Sequence, residues 1–153
     1  MKIALGADHA GFELKQKIKQ HLVQQGHNVD DRGTASTASV DYPDFARAVG
    51  EEVAHHDADL GILVCGSGIG MAIAANKVPG IRAANVSTEN EASLSREHNN
   101  ANVLTLGARI LDEPHALAIV DKWLATPFAG GRHQQRVEKI RQIEEDESRT
   151  HAR

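Results

Sequence analysis

The 153-residue chain is the size of one domain, long enough to bury roughly 68–70% of the surface its unfolded form exposes. Its net charge of -4 argues against a nucleic-acid binder, and its single cysteine excludes an internal disulfide and fits a reducing compartment. No run approaches the ~20 apolar residues of a membrane span, and the opening Met1-Lys2-Ile3-Ala4-Leu5-Gly6 is too short for a signal peptide, so the expected place is the cytoplasm.

Lys2 to Ala7 reads as a buried strand, followed by Asp8-His9-Ala10-Gly11 and a helix from about Phe12 to Gln25. Phe12, Leu14, Ile18, Leu22 and Val23 form its expected apolar face, and Gly26 stops it. His27 to Asp31 is a weaker strand, and Gly33 to Val40 a Ser/Thr/Ala loop. Asp41-Tyr42-Pro43-Asp44 opens a second helix, with Phe45, Ala48, Val49 and Val53 facing inward. Leu60 to Val64 is a third strand, with a helix from about Gly68 to Asn76 after it. Ile81 to Val86 is the fourth strand, and Ser87-Thr88-Glu89-Asn90-Glu91 marks a capped helix start. Val103 to Leu106 is the fifth strand, and Asp112-Glu113-Pro114 starts a helix through about Leu124 with Leu117, Ile119, Val120 and Leu124 apolar. After Ala129-Gly130-Gly131, a polar helix spans Arg132 to Glu145; residues 1–145 form one domain, and 146–153 are expected to fray.

Strands alternating with helices predict an α/β fold: a three-layer, Rossmann-like sandwich around a five-stranded parallel sheet. Ligands in such sheets sit beyond the C-terminal strand ends. The polar candidates gather there: Asp8 and His9 after the first strand, Cys65 after the third, Arg109 after the fifth.

One stretch organises the rest, Cys65-Gly66-Ser67-Gly68-Ile69-Gly70 between an apolar strand and an alanine-rich helix. A glycine turn that opens a helix presents free N–H groups, and a thiol at its lip lies in an electropositive place. A dinucleotide fingerprint does not fit, because Gly66 and Gly68 would require glycine where Met71 stands, and a P-loop lacks its Gly-Lys-Ser/Thr. Each feature also has a plainer explanation. The loop could be an unliganded tight turn, and a lone cysteine after an apolar strand is more often a small core residue than a catalyst. His98-Asn99-Asn100 fits a solvated helix end, and Asp8-His9 a turn that caps the first helix. His55, His56 and His115 read as surface residues, and no pair has zinc-site spacing. Arg132 and Arg136 share a helical face after two glycines, suited to a phosphate, although such a pair is usually a solvated basic face.

Taken together, six motifs resemble the sugar-phosphate isomerase family of the ribose-5-phosphate isomerase B type. They are Asp8-His9-Ala10-Gly11-Phe12, Asp41-Tyr42-Pro43, Cys65 to Gly70, Ala74-Ala75-Asn76-Lys77, Ser95-Arg96-Glu97-His98-Asn99 and Gly130 to Val137, in order from Met1 to about Ile143. The resemblance implies an aldose–ketose isomerase acting on a phosphorylated sugar through an enediolate, with no metal and no organic cofactor. It implies Cys65 as the base, Ser67 as the hydroxyl that assists proton movement between oxygens, and His98 with Asp8 for opening the sugar ring. It places the enediolate against the amides of Gly66, Gly68, Ile69 and Gly70 with Asn99. The phosphate falls to His9, Arg109, Arg132 and Arg136, and Tyr42 lies near the sugar.

Family members without the cysteine use a glutamate directly after the glycine loop; Met71 stands there, so the chain resembles the cysteine branch. The resemblance also implies a homodimer whose C-terminal helix carries Arg132 and Arg136 to the partner subunit, with pairing into tetramers left open. Ribose 5-phosphate and ribulose 5-phosphate are the expected pair. The alternatives are a hexose 6-phosphate (allose or galactose), a tetrose phosphate, or a phosphosugar-binding module without catalysis. Flavin binding is disfavoured by an aromatic content of 3%.

Overall fold

The computed structural model describes residues 1–151. In chain order the elements are β1 (Lys2–Ala7), α1 (Phe12–Gln24), β2 (Asn28–Asp31), α2 (Tyr42–Ala54), β3 (Leu60–Cys65), α3 (Ile69–Ala75), β4 (Ala83–Asn85), α4 (Glu89–Glu97), β5 (Val103–Gly107), α5 (Glu113–Ala125) and α6 (Arg132–His151). The sheet is parallel throughout, in the order β2-β1-β3-β5-β4.

The three layers follow from strand parity, since successive side chains point to opposite faces of the sheet. Ile3, Leu5 and Ala7 of β1, Ile62 and Val64 of β3, and Leu104 and Leu106 of β5 pack with Ile18 and Leu22 of α1, Ala92 of α4, and Ala116, Ile119, Val120 and Trp123 of α5. The alternate residues Ala4, Leu63, Cys65 and Val103 face Ala46, Val49 and Val53 of α2 and Met71 and Ala75 of α3. Cys65 therefore belongs, by parity, to the α2/α3 face.

Local chemistry sets the boundaries. The N–H groups of Gly26 and His27 donate to the Val23 and Leu22 carbonyls and close α1. Thr88 and Glu91 form a reciprocal capping box at the start of α4. Asp112 caps α5 by accepting from the His115 N–H at 2.9 Å.

Four expectations are corrected. Val23 is 55% exposed, while Lys15 takes the buried place on α1 at 1%. Val23 lies about 100° around the helix from Leu22, beyond the stripe that meets the sheet. Cys65 is the last residue of β3 rather than the first of the turn, paired in register with Gly107. β4 spans three residues instead of six, because it is an edge strand paired with β5 alone and the N–H of Arg82 turns to the Asn102 side chain. The last helix continues past Glu145 to His151; residues 152 and 153, the end of the expected frayed tail, lie outside the described residues.

α6 is loosely attached. Val137 is buried, but Ile140 and Ile143 are 48% and 63% exposed, and Glu144 accepts from the Gly80 N–H at 3.0 Å. No helix among the described residues is long and apolar enough to cross a membrane.

Candidate active site

The strand order reverses at β1: the sheet grows to β2 on one side and to β3 on the other. The crevice beyond that point is where ligands sit in open α/β sheets. Asp8 leaves β1 there and Cys65 ends β3 there, and the Asp8 N–H donates to the Val64 carbonyl at 3.2 Å. The Asp8 carboxylate is 7% exposed and accepts from the Gly11 N–H at 3.0 Å, so the turn fixes its direction.

The Cys65 thiol is buried, and the Gly68 N–H donates to its Sγ at 3.2 Å. Gly68 has φ +81°, and a Cβ there would lie 2.3 Å from Asn85 Oδ1 and 2.9 Å from the Leu106 carbonyl carbon. This is why glycine stands at the turn. The Thr105 hydroxyl donates to the Gly68 carbonyl at 2.8 Å, and its oxygen lies 3.2 Å from Asn85 Oδ1. The loop is thereby held from β4 and β5 while it presents the sulfur. The Ile69 N–H donates to Ser67 Oγ at 3.2 Å. The N–H groups of Gly70 and Met71 lie in the first turn of α3 and have no intrahelical acceptor.

Two other predicted residues close on the same loop. A Cβ on Gly70 would come within 2.7 Å of the Tyr42 ring, and one on Gly66 within 3.0 Å of the Arg109 guanidinium. The Arg109 N–H also donates to the Gly66 carbonyl at 3.0 Å. After β1, the Val40 N–H donates to His9 Nδ1 at 3.2 Å. Cys65 to Gly70, Asp8, Tyr42 and Arg109 thus form one group around the C-terminal ends of β1 and β3.

His98, Asn99, Arg132 and Arg136 form a second group. His98 caps the C-terminus of α4, and its ring stacks on that of His133 in the first turn of α6, with centroids 4.3 Å apart and planes 12° from parallel. Burial and the positive charges of His98, Arg132 and Arg136 push the His133 imidazole below its usual pKa, against an opposing pull from Glu97. Asn99, Arg132 and Arg136 are exposed. Among the described residues, no hydrogen bond joins this group to the Cys65 loop, and no cluster of three or more His, Cys, Asp or Glu could hold a metal ion.

A family model described as Ribose/Galactose Isomerase matches residues 3–140. The chain belongs to that family. Ribose-5-phosphate isomerase B of Escherichia coli (strain K12) is 51% identical over 144 residues, covering 94% of this chain and 97% of the relative. A Clostridium thermocellum ribose-5-phosphate isomerase B structure superposes with a TM-score of 0.95 at 51% identity, covering 95% of this chain and 99% of that one. A Mycoplasma genitalium ribose-5-phosphate isomerase B structure with bound ribulose-5-phosphate superposes with a TM-score of 0.91 at 46% identity, covering 94% and 96%.

Several supports of this isomerase-family site escaped the sequence reading. Thr105 and Asn85 hold the glycine loop; the visible signal is that Thr105 is the one hydroxyl in an otherwise apolar strand. Arg96 donates to the carbonyls of Ala101 and Thr126, and Arg82 donates to the Asn100 carbonyl at 2.9 Å. Together they clamp the turn that carries His98 and Asn99, in which Asn100 adopts φ +48°. The Arg96 guanidinium lies 5.6 Å from the Trp123 ring centroid. Lys15 binds both Asp31 oxygens at 2.7 and 2.8 Å, and Asp31 accepts from the Gly33 N–H, anchoring the loop that reaches His9. Burial pushes the Asp31 carboxyl up, but bonds from Lys15 and Gly33 outweigh it and hold the group below its usual pKa.

Proposed function

We propose that this chain interconverts ribose 5-phosphate and ribulose 5-phosphate as an aldose–ketose isomerase working through an enediolate. The observation that carries the reading is Cys65: a buried thiol at the end of β3, receiving the Gly68 N–H, inside a glycine loop that Tyr42 and Arg109 close. Membership of the ribose/galactose isomerase family gives the reaction class, and the Escherichia coli relative is named for this substrate.

His98, with Asp8, opens the furanose by moving a proton to the ring oxygen. Cys65, as thiolate, takes the C2 proton of the open aldose. The electron pair forms the C1–C2 double bond and leaves negative charge on O1. Amides of Gly66, Gly68, Ile69 and Gly70, with Asn99, stabilise that enediolate; donors already aimed at the developing charge need no reorganisation. Ser67 assists the transfer between the two oxygens, and the Cys65 S–H returns its proton to C1, so the thiol ends the cycle unchanged. His9, Arg109, Arg132 and Arg136 hold the phosphate, and that remote binding fixes the reacting carbons at the sulfur. Tyr42 lines the sugar from above Gly70.

The working unit is a homodimer in which Arg132 and Arg136 serve the partner's site. Three observations support this. Arg132 and Arg136 are exposed on the weakly attached α6, and Ile69 and Ile73, four residues apart on α3, are 53% and 60% exposed. Two clefts of about 680 Å³ each lie away from Cys65, one between α2 and α3 and one under α6 beside Asn99. The chain works in the cytoplasm, where its single thiol stays reduced.

The test is incubation with ribose 5-phosphate in deuterated water. Ketose should appear with deuterium at C1. Absence of both ketose and exchange overturns the reading. Tight sugar-phosphate binding without turnover would instead make the chain a binding module.

A further inference from the structure

His98 and His133 come from different helices, and the chain brings them together deliberately. The Ala129 N–H donates to the Glu97 carbonyl at 3.1 Å, which ties the linker before α6 to the last residue of α4. The His133 N–H donates to the Gly130 carbonyl at 3.0 Å and closes the first turn of α6. Val137, one turn further, is 8% exposed and anchors the same end of the helix. The imidazoles meet between these points, nearly parallel at 4.3 Å. Two stacked imidazoles are compatible when at most one carries charge, and Arg132 and Arg136 beside His133 disfavour a charge there.

We infer that His133 is a positioning residue: its ring is the plate that holds the His98 imidazole in the plane needed for proton transfer to the sugar ring oxygen. The inference rests on the proposed role of His98 in ring opening. It adds that the acid/base is held from the side by the helix that carries the phosphate arginines. Seating α6 and orienting His98 are then one event. A side chain misplaced by about 1 Å loses roughly 10²-fold in rate, so a plate of this kind is a first-order need.

The chemistry of the two substrates supplies the test. Ribose 5-phosphate is a closed furanose that must be opened. Ribulose 5-phosphate cannot close a five-membered ring on its C2 carbonyl, because O5 carries the phosphate, so deuterium exchange at its C1 needs Cys65 but no ring opening. The variants are His133→Ala, which removes the plate at a half-buried helix position, and His133→Phe, which restores a ring. In His133→Ala, kcat on ribose 5-phosphate should fall about 10- to 100-fold, while initial exchange at C1 of ribulose 5-phosphate stays within about threefold of the unsubstituted protein. His133→Phe should recover most of the lost kcat. Equal losses on both substrates would make His133 a general structural residue. A rise in KM with kcat unchanged would make it a phosphate contact. Either result, or no loss at all, overturns the inference. Absence of exchange in the unsubstituted protein would overturn the isomerase reading itself, and is told apart because no substitution is involved.

Discussion

Gly68→Ala is the sharpest test of how the glycine loop is built. At φ +81° an L-residue with a side chain sits in the left-handed region, at about 1–2 kcal/mol. The new methyl would meet Asn85 Oδ1 at 2.3 Å and the Leu106 carbonyl carbon at 2.9 Å. Asn85 is exposed and can swing away; Leu106 is the backbone of β5 and cannot move without pulling on its neighbours in the sheet. The loop must therefore shift, and the 2.8 Å bond from Thr105 to the Gly68 carbonyl is the one placed to break. A buried hydroxyl left unpaired adds about 1–3 kcal/mol. The sum is about 2–5 kcal/mol of lost stability, which for a chain of this size lowers Tm by about 5–15 °C. The shift also carries the Gly68 N–H away from Cys65 Sγ, so kcat on ribose 5-phosphate should drop by about 10²-fold. Calorimetry and a coupled ketose assay read the two effects. A variant with unchanged Tm and unchanged kcat would refute the argument that β5 and the sulfur define this turn.

Cys65→Ala should keep sugar-phosphate binding by calorimetry and lose about 10²–10⁴-fold in kcat; near-normal turnover removes the thiol from the mechanism. Thr105→Val should destabilise by about 1–3 kcal/mol in urea unfolding, because the Gly68 carbonyl loses its donor; a change below a few tenths of that would show that the carbonyl finds another partner. Lys15→Met leaves the partly exposed Asp31 carboxylate with Lys19 as its remaining cation and should cost about 1–3 kcal/mol at pH 7, with the loss shrinking as acid protonates Asp31; a pH-independent loss contradicts this. Glu52, 8% exposed with Oε2 unpartnered, is pushed up to about 7 by burial and by the neighbouring Asp30, against Arg32 and Lys2. Its folded value exceeds the unfolded 4.5, so its favourable contribution is complete below about pH 4.5 and lost as pH rises through about 7. Glu52→Gln should therefore gain on the unsubstituted protein, by up to about 3 kcal/mol, as pH goes from 4.5 to 8; parallel Tm profiles refute it.

Periodicity carried most of the fold into view. Apolar strands such as Leu60 to Val64 alternate with helices whose spacing is amphipathic, and this pattern permits little besides a parallel α/β sheet. What remained hidden depended on partners remote in sequence. Lys15 looks like a surface residue until Asp31 is brought against it, and the narrow β4 is decided by its place at the sheet edge. In the candidate site, Asp8, Cys65 and Arg109 were legible because strand ends converge at a known place in the fold, and Tyr42 because of the family pattern. The stack of His98 on His133 left no trace, since neither residue has a local pattern that names the other.

The contact from Val40 to His9 has a consequence for ligand recognition. A backbone N–H can donate only to a ring nitrogen that bears a lone pair, so the neutral His9 carries its hydrogen on Nε2. One tautomer is selected, and the edge facing away from Val40 is always a donor. An anion meeting that edge finds a hydrogen to accept without requiring the ring to be charged. The selector is a main-chain amide in a loop of small residues, not a side chain, and the one replacement that deletes it directly is proline at position 40. Sequence drift within Gly33 to Val40 can therefore alter composition freely while the polarity of His9 is inherited unchanged, so long as the path of the loop survives.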